Sequence, residues 1–165
     1  MGTRAKKALL YSVFVMIIIW GQFLTNNGSL IGKPPDINQA MIDGGHAMEQ
    51  IAKKGPAIIY FWAEWCGICE MMQSPISEVL KDYPGITVAV KSGDDGRLKK
   101  YMQQKQIQWK VINDQYGEIS ELYKIKGVPF VIITDKAGEI SYTVSGYSFE
   151  TGLRFRLWLA ELFSK

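Results

Sequence analysis

Cysteine and histidine are scarce in this chain of 165 residues, which has two cysteines and one histidine. Two cysteines cannot form the disulfide framework of a small secreted domain or a four-cysteine zinc site. The histidine, His46, follows two glycines in a turn-like stretch, so a cysteine–histidine hydrolase would lack an obviously placed base. The scarcity leaves the two cysteines themselves as the candidates for chemistry.

Excess positive charge is also missing from the body of the chain. Arg4, Lys6 and Lys7 account for the whole net charge of +3, and without them basic and acidic residues are equal in number, 16 of each. A nearly neutral body without a DNA-binding motif argues against a nucleic acid partner.

One long apolar run is present, at residues 8–24, directly after the three basic residues. Seventeen residues at a rise of ~1.5 Å just span a hydrocarbon core, and no small-x-small cleavage site follows them. We therefore expect residues 1–24 to be a cytoplasmic basic stub and an uncleaved transmembrane signal anchor, the alternative being a cleaved signal peptide. Residues 25–35 form a tether, and the positive-inside rule places the domain at 36–165 outside the cytoplasm, on the periplasmic side.

Both cysteines lie in one short stretch, Trp65-Cys66-Gly67-Ile68-Cys69. A strand-like apolar run precedes the stretch and a helix-like run follows it. A helix N-terminus stabilises an anion, so we expect a thiolate at Cys66. With two residues between them, the cysteines can close a small disulfide ring and cycle between dithiol and disulfide.

The remaining pattern predicts an α/β fold with a mixed central sheet and helices on both faces. Strands are expected at 57–61, 86–90, 109–112, 131–134 and 139–144, with an edge strand at 37–41. Helices are expected at 47–54, 69–83 with a kink at Pro75, 95–106, 119–123 and 149–163. The last helix has Leu153, Leu157, Trp158 and Leu162 available for burial.

Pro129 stands at the entrance of a central strand, where proline cannot donate a ladder hydrogen bond. A cis peptide at a tight bend and a trans proline at a strand end both fit this position. Next to a Cys-x-x-Cys motif we expect the cis form.

These motifs together resemble the thioredoxin superfamily over residues 57–165. The segment from Phe61 to Cys69 is similar to its active-site stretch, with Ile68 in the place of a proline. Gly127-Val128-Pro129 is similar to its cis-proline loop, and Gly146 stands where the family has a glycine before its last helix. One departure is Tyr60, which occupies the position of the family's buried aspartate.

Within the superfamily, the chain is similar to the membrane-anchored extracytoplasmic branch of TlpA-, ResA- and DsbE-like proteins, and to ScsD-like proteins of copper-tolerance clusters. The anchor, the Gly32-Lys-Pro-Pro-Asp36 motif and a long stretch between Cys69 and Pro129 carry this similarity. The resemblance implies a central βα-type insertion within residues 94–114.

The expected function is thiol–disulfide exchange with protein substrates. Cys66 is the exposed nucleophile and Cys69 the buried resolving thiol; Glu64 and water are the candidates for proton transfer. The resemblance implies that Val128 and Pro129 bind a substrate strand, and Trp65 is a candidate contact at the rim.

The branch favours a reductase supplied by a membrane electron donor, with an oxidase or isomerase as the alternative. No cofactor is expected besides the redox-active disulfide of Cys66 and Cys69, and no metal. The alternative from another class is Cu(I) binding by the same two thiolates, with Met71 or Met72 as a thioether ligand.

Overall fold

A five-stranded mixed sheet forms the centre of the structure, a computed structural model that describes residues 11–14, 16, 30, 32–45 and 55–163. The strands are β1 (Ala57–Trp62), β2 (Gly85–Val90), β3 (Val111–Asp114), β4 (Phe130–Thr134) and β5 (Ile140–Ser145). Their order in the sheet is β3-β2-β1-β4-β5. The first three strands run parallel, β4 is antiparallel to β1, and β5 is antiparallel to β4. The predicted mixed sheet is confirmed.

In the part of the chain that the structure describes, five helices connect and cover these strands: α1 (Gly67–Met71), α2 (Gln73–Asp82), α3 (Asp95–Gln104), α4 (Glu118–Leu122) and α5 (Glu150–Leu162). The single helix expected at 69–83 is instead two helices that meet at Met72. Pro75 lies in the first turn of α2, where the missing N–H leaves no hydrogen bond unmade. The predicted kink therefore takes the form of a break three residues before the proline.

The two faces of the sheet each carry a hydrophobic core, because side chains of a strand alternate between faces. From β1, Tyr60 and Trp62 point to the face covered by α2 and α5. Ile59 and Phe61 point to the other face, which α4 covers. Helices on both faces of the sheet confirm the predicted α/β architecture, and each large side chain that is fully buried there contributes roughly 1.5–3 kcal/mol.

The outer side of α5 departs from the prediction. Leu153 and Leu157 are fully buried against the sheet, as expected, but Trp158 is 48% exposed and Leu162 is 55% exposed. A helix 13 residues long that packs on one sheet buries one stripe only, and Trp158 and Leu162 lie outside that stripe.

Residues 37–41 do not form the predicted edge strand. Ile37 and Met41 are instead buried in the core on the α4 face. The segment is attached by single contacts: Ile140 N–H donates to the Gly32 carbonyl at 2.8 Å, and the Tyr123 hydroxyl donates to the Pro35 carbonyl at 2.6 Å. Next to the segment, Ile42 N–H donates to the Val111 carbonyl at 2.9 Å, and Ala40 forms an isolated bridge instead of a strand.

Residues 94–114 hold a helix and a strand, α3 and β3, as expected for that region. The strand begins two residues later than predicted. Trp109 precedes it, buried, with its indole N–H donating to Ser77 Oγ at 2.9 Å. That this pair is an insertion relative to a minimal thioredoxin stays a prediction.

The predicted anchor at 8–24 lies outside the described residues, apart from the helical residues 11–14 and 16. The predicted helix at 47–54 lies outside them too. Within the described parts of the chain, no helix is both long enough and apolar enough to cross a membrane. The anchor, the tether at 25–35 and the domain limits stay predictions.

Candidate active site

The two cysteines follow the carboxyl end of β1, in a loop held by the residues after β2. Glu64 N–H donates to Ser92 Oγ at 3.1 Å, and the Ser92 hydroxyl donates to the Val90 carbonyl at 3.2 Å. The indole N–H of Trp65 donates to the Lys91 carbonyl at 3.0 Å. These bonds fix the chain immediately before Cys66.

Cys66 and Cys69 form a disulfide, with their Cα atoms 5.2 Å apart. Cys66 is the N-cap of α1, and its Sγ accepts a hydrogen bond from Cys69 N–H at 3.2 Å. In the reduced protein the same N–H and the helix N-terminus stabilise a Cys66 thiolate. The predicted setting for an activated thiol is therefore present.

Cys66 is more accessible to solvent than Cys69, as predicted, but both residues are buried. Cys69 is 2% exposed and Cys66 is 8% exposed. Cys66 is thus the more accessible residue, but describing it as exposed was wrong for the disulfide form. Its contacts with α1 and with the neighbouring loop cover most of its surface.

That neighbouring loop contains Val128 and Pro129, and the peptide bond between them is cis, as predicted. The Val128 carbonyl oxygen lies 3.6 Å from Cys66 Sγ. A disulfide sulfur has no proton, so this is a close contact; a reduced Cys66 thiol could donate to the same oxygen. Gly146 N–H donates to the Pro129 carbonyl at 2.9 Å and holds the loop in place.

Val128 also has a backbone N–H that makes no hydrogen bond to any residue the structure describes. An open N–H and C=O beside the disulfide are what an added substrate strand requires. Pro129 has no N–H, so Val128 is the donor available at this position. Binding of substrate by these two residues stays a prediction.

Exposed apolar side chains surround the disulfide on two sides. One group belongs to the active-site stretch and α1: Trp65, 62% exposed, with Ile68 and Met71 also exposed. The other group follows Gly146, where Tyr147 and Phe149 pack edge to face with ring centroids 5.0 Å apart. Such exposed apolar surface beside a reactive pair suits contact with another protein.

Glu64 does not point freely toward the cysteines. Its carboxylate pairs with the Arg97 guanidinium of α3, and its side chain is only 9% exposed whereas that of Arg97 is 69% exposed. The proposed role of Glu64 in proton transfer stays a prediction.

Tyr60 lies fully buried on the face of β1 that also carries the disulfide's core contacts. No residue that the structure describes bonds to its hydroxyl. Burial, followed by the nearby Tyr101, raises the pKa of Tyr60 well above its usual value. Tyr60 therefore stays protonated and cannot replace the buried aspartate of thioredoxins as a proton acceptor.

The family model described as AhpC/TSA family matches residues 33–143, more than half of the chain. The chain belongs to the AhpC/TSA family. A thioredoxin-like protein of Haemophilus influenzae is 27% identical over 135 residues, covering 79% of this chain and 80% of that protein. The thiol-disulfide oxidoreductase ResA of Bacillus thuringiensis is 24% identical over 155 residues, covering 86% of this chain and 90% of ResA.

Solved structures agree with this family membership. A crystal structure assigned as a thiol:disulfide interchange protein DsbE from Chlorobium tepidum superposes with a TM-score of 0.68 at 25% identity. The match covers 80% of this chain and 99% of that one. The predicted resemblance to the thioredoxin superfamily is confirmed, and this AhpC/TSA family member is a thiol–disulfide oxidoreductase.

Several residues that build the site were missed from the sequence. Lys91 and Ser92 hold the loop before Cys66, Arg97 pairs with Glu64, and Phe149 packs on Tyr147. Ser92 lies two residues before Asp94, the N-cap of α3. The sequence signal available for Lys91 and Ser92 was their position directly after a predicted strand, because loops after parallel strands meet at the same edge of a sheet.

Proposed function

We propose that this family member is a membrane-anchored, extracytoplasmic reductase of disulfide bonds in partner proteins. The observation that carries the proposal is the placement of Cys66 Sγ at the start of α1, 3.6 Å from the Val128 carbonyl. This placement puts an activated sulfur next to the Val128 backbone, whose N–H is available to a substrate strand. The exposed apolar groups around that site give a protein substrate a surface to bind.

In the first step the Cys66 thiolate attacks one sulfur of the substrate disulfide. A Cys66–substrate disulfide forms, the substrate's own disulfide breaks, and one substrate sulfur leaves as a thiolate that takes a proton. The Val128 backbone aligns the substrate chain so that the three sulfurs lie in line.

In the second step Cys69 loses its proton and attacks Cys66 Sγ. The mixed disulfide breaks, the second substrate thiolate leaves, and the disulfide between Cys66 and Cys69 forms. Two electrons have then passed from the cysteine pair to the substrate. Because Tyr60 stays protonated, the proton of Cys69 passes to water or to Glu64.

Regeneration requires a dithiol donor that returns two electrons to the disulfide. A domain outside the cytoplasm needs that donor in or across the membrane, so the proposal includes a membrane electron donor. The direction of electron flow rests on the branch resemblance, and an oxidase would run the same two steps in reverse.

Mixed-disulfide trapping tests the exchange. The Cys69→Ser variant should accumulate a Cys66–substrate disulfide, because the resolving thiol is missing. The Cys66→Ser variant is the matched control and should trap nothing. Equal trapping by both variants would contradict the assigned roles of the two sulfurs.

The redox state of the pair in growing cells tests the direction. After acid quenching and alkylation with a mass tag, a mainly reduced pair would indicate electron delivery and a reductase. A mainly oxidised pair would contradict the reductase. Stoichiometric Cu(I) binding without disulfide exchange by the reduced protein would support the copper alternative.

Cell fractionation tests the proposed location. The full chain should stay in the membrane fraction after an alkaline carbonate wash. Externally added protease should degrade its domain in cells whose outer layers are opened. A chain recovered in the soluble fraction would contradict the anchor but leave the exchange chemistry untouched.

A further inference from the structure

One side of α3 contacts polar residues before and after the cysteine pair. We call this side the α3 stripe: Arg97, Tyr101 and Lys105, which lie four residues apart, the last just after the helix. Its three contacts are Arg97 with Glu64, Gln73 Nε2 donating to Tyr101 Oη at 3.0 Å, and Lys105 with Glu70 at 2.5 Å. Glu64 precedes the first cysteine by two residues, and Glu70 directly follows the second. The α3 stripe therefore spans the redox pair.

Two carboxylates lie close to the cysteines, and both act on the same member of the α3 stripe. Burial is the main cause that raises the pKa of Tyr101, and the charges of Glu70 and Glu64 add to the increase. Carboxylates that act on one hydroxyl belong to one cluster, here beside α1. An anion disfavours the formation of a second anion nearby, so both carboxylates oppose a thiolate at Cys66 unless cations balance them.

The other loops around the disulfide contribute little charge. The loops at 127–129 and 146–149 contain no charged residue. Lys91, in the loop after β2, is exposed to solvent, where water and salt screen its charge. The balance between the two carboxylates and the two cations of the α3 stripe therefore dominates the electrostatics at Cys66.

The two ion pairs differ in their exposure to water. Lys105 and Glu70 have side chains 36% and 55% exposed, and such surface pairs contribute little. The side chain of Glu64 is only 9% exposed, so its charge is screened much less and depends on its counterion. Arg97 is therefore the cation of the α3 stripe whose loss should affect the cysteines most.

The start of α3 holds Arg97 in a defined position. Its backbone N–H donates to Asp94 Oδ1 at 2.8 Å. Asn113 Nδ2 donates to the Gly93 carbonyl at 3.0 Å and to Asp95 Oδ1 at 2.8 Å. Gly93 also leaves room for the arginine stem, because a Cβ at this position would lie 2.7 Å from Arg97 Cδ. The fold itself thus places the guanidinium beside the loop that precedes the cysteines.

We propose that Arg97 is a positioning residue of the redox pair: by balancing the Glu64 carboxylate it favours the Cys66 thiolate and so sets the reduction potential of the disulfide. A stabilised thiolate makes the reduced form more stable and the disulfide easier to reduce. The proposal rests on the exchange chemistry given under Proposed function. It adds that a helix far along the chain tunes that chemistry through one ion pair.

Equilibration of the detergent-solubilised full chain with glutathione buffers tests the proposal. Two glutathione thiols give two electrons and two protons to the disulfide and become one glutathione disulfide. Acid quenching and alkylation with a mass tag then report the reduced fraction of this pair alone, because the chain has two cysteines. Arg97→Gln should shift the equilibrium constant toward the protein disulfide by roughly threefold to tenfold.

Three variants serve as controls for the loss of charge. Lys99→Gln should leave the equilibrium constant unchanged, because Lys99 lies on the other side of α3, where it lines a surface cleft with Ile42. Lys105→Gln should shift the constant less than Arg97→Gln, because its ion pair is exposed. Arg97→Lys keeps the positive charge and should restore most of the wild-type value.

The partner of Arg97 separates an electrostatic role from a structural one. Glu64→Gln removes the anion and leaves the cation, so the constant should shift toward the dithiol. The double variant with Arg97→Gln should lie near the wild type. A loosened loop would instead shift both single variants in the same direction. An equilibrium constant does not depend on how fast protons move, so the predicted role of Glu64 in proton transfer does not affect this comparison.

The outcomes are distinct. An unchanged constant in Arg97→Gln, or shifts of the same sign in Arg97→Gln and Glu64→Gln, overturns the role of Arg97 and leaves the exchange chemistry standing. A wild-type pair that does not equilibrate with glutathione counts against the exchange chemistry itself. Opposite shifts that cancel in the double variant, with Lys99→Gln unchanged, support the proposal.

Discussion

Removing the hydroxyl of Tyr60 tests how much stability an unpaired, buried polar group costs at the centre of the sheet. Tyr60 is 0% exposed, and no described residue bonds to its hydroxyl. Its ring packs edge to face on Trp109 with centroids 5.8 Å apart, a contact that phenylalanine keeps. The Tyr60→Phe substitution therefore removes the hydroxyl and little else.

The expected change in stability at neutral pH follows from the burial. A buried polar group without a partner costs about 1–3 kcal/mol. We expect Tyr60→Phe to leave the free energy of unfolding unchanged or to raise it by up to about 1 kcal/mol. Tyr123→Phe is the matched control, because the Tyr123 hydroxyl donates to the Pro35 carbonyl at 2.6 Å. Losing that bond should cost about 1 kcal/mol.

The same substitution should change the stability at alkaline pH. Burial, with a smaller contribution from Tyr101, raises the pKa of Tyr60 in the folded state. Unfolded tyrosine titrates near pH ~10, so above that pH the unfolded state loses its proton first and gains stability. The folded state thus loses about 1.4 kcal/mol per pH unit from Tyr60 between the two pKa values. Below pH ~10 Tyr60 is protonated in both the folded and the unfolded state, so it causes no such loss of stability.

Urea unfolding of the oxidised, detergent-solubilised chain at pH 7 and at several values above ~10 measures both effects. The oxidised form is chosen because its cysteines have no proton to lose. Tyr60→Phe should remove the contribution of one tyrosine to the alkaline slope. The raised pKa of Tyr123, caused by burial and then by Asp36, and the raised pKa of Tyr101, caused first by burial, should maintain a slope in the variant. A loss above about 1 kcal/mol at pH 7 would show that the hydroxyl has a partner after all. An unchanged alkaline slope would refute burial as the cause of the pKa shift.

Two further substitutions test the supporting structure. Asp114→Ala should cost about 2–3 kcal/mol in urea unfolding, because the buried carboxylate accepts two backbone N–H groups at the start of α4. Asp94→Ala removes an exposed N-cap of α3 and should cost about 1 kcal/mol, so equal losses would count against burial as the deciding factor. Gly85→Ala should lower the thermal midpoint by several degrees, because the new Cβ would lie 2.7 Å from the Ile58 carbonyl oxygen and costs about 1–3 kcal/mol. Gly127→Ala, whose Cβ meets nothing within 4 Å, should shift it much less, and a reversed order would contradict the packing of Ile58.

Local patterns predicted the strands and the redox pair because their physical causes are local. The apolar run before Cys66 is a buried strand, and the two residues between the cysteines place both sulfurs at one helix start. Pro129 could be assigned a cis peptide only together with the cysteines, and that assignment is confirmed.

The predictions that failed depend on which neighbouring element packs against a side chain. Residues 37–41 have a strand-like pattern, yet only Ala40 forms an isolated bridge, while Ile37 and Met41 are buried in the core. Trp158 and Leu162 have the spacing of a buried helix face, but the sheet covers only the stripe that contains Leu157. A hydrophobic pattern shows that a side chain can be buried, and the neighbouring elements decide whether it is.

The sequence by itself determined the chemistry of this protein: two cysteines at a strand-to-helix junction, a proline loop and the order of strands and helices. Those features depend on residue types and short spacings, which a sequence displays directly. Only the tertiary structure decided that Val128 lies against Cys66, that Arg97 pairs with Glu64, and that Tyr60 keeps its proton. Each of these depends on distance and burial between segments far apart in the chain, and folding alone sets them.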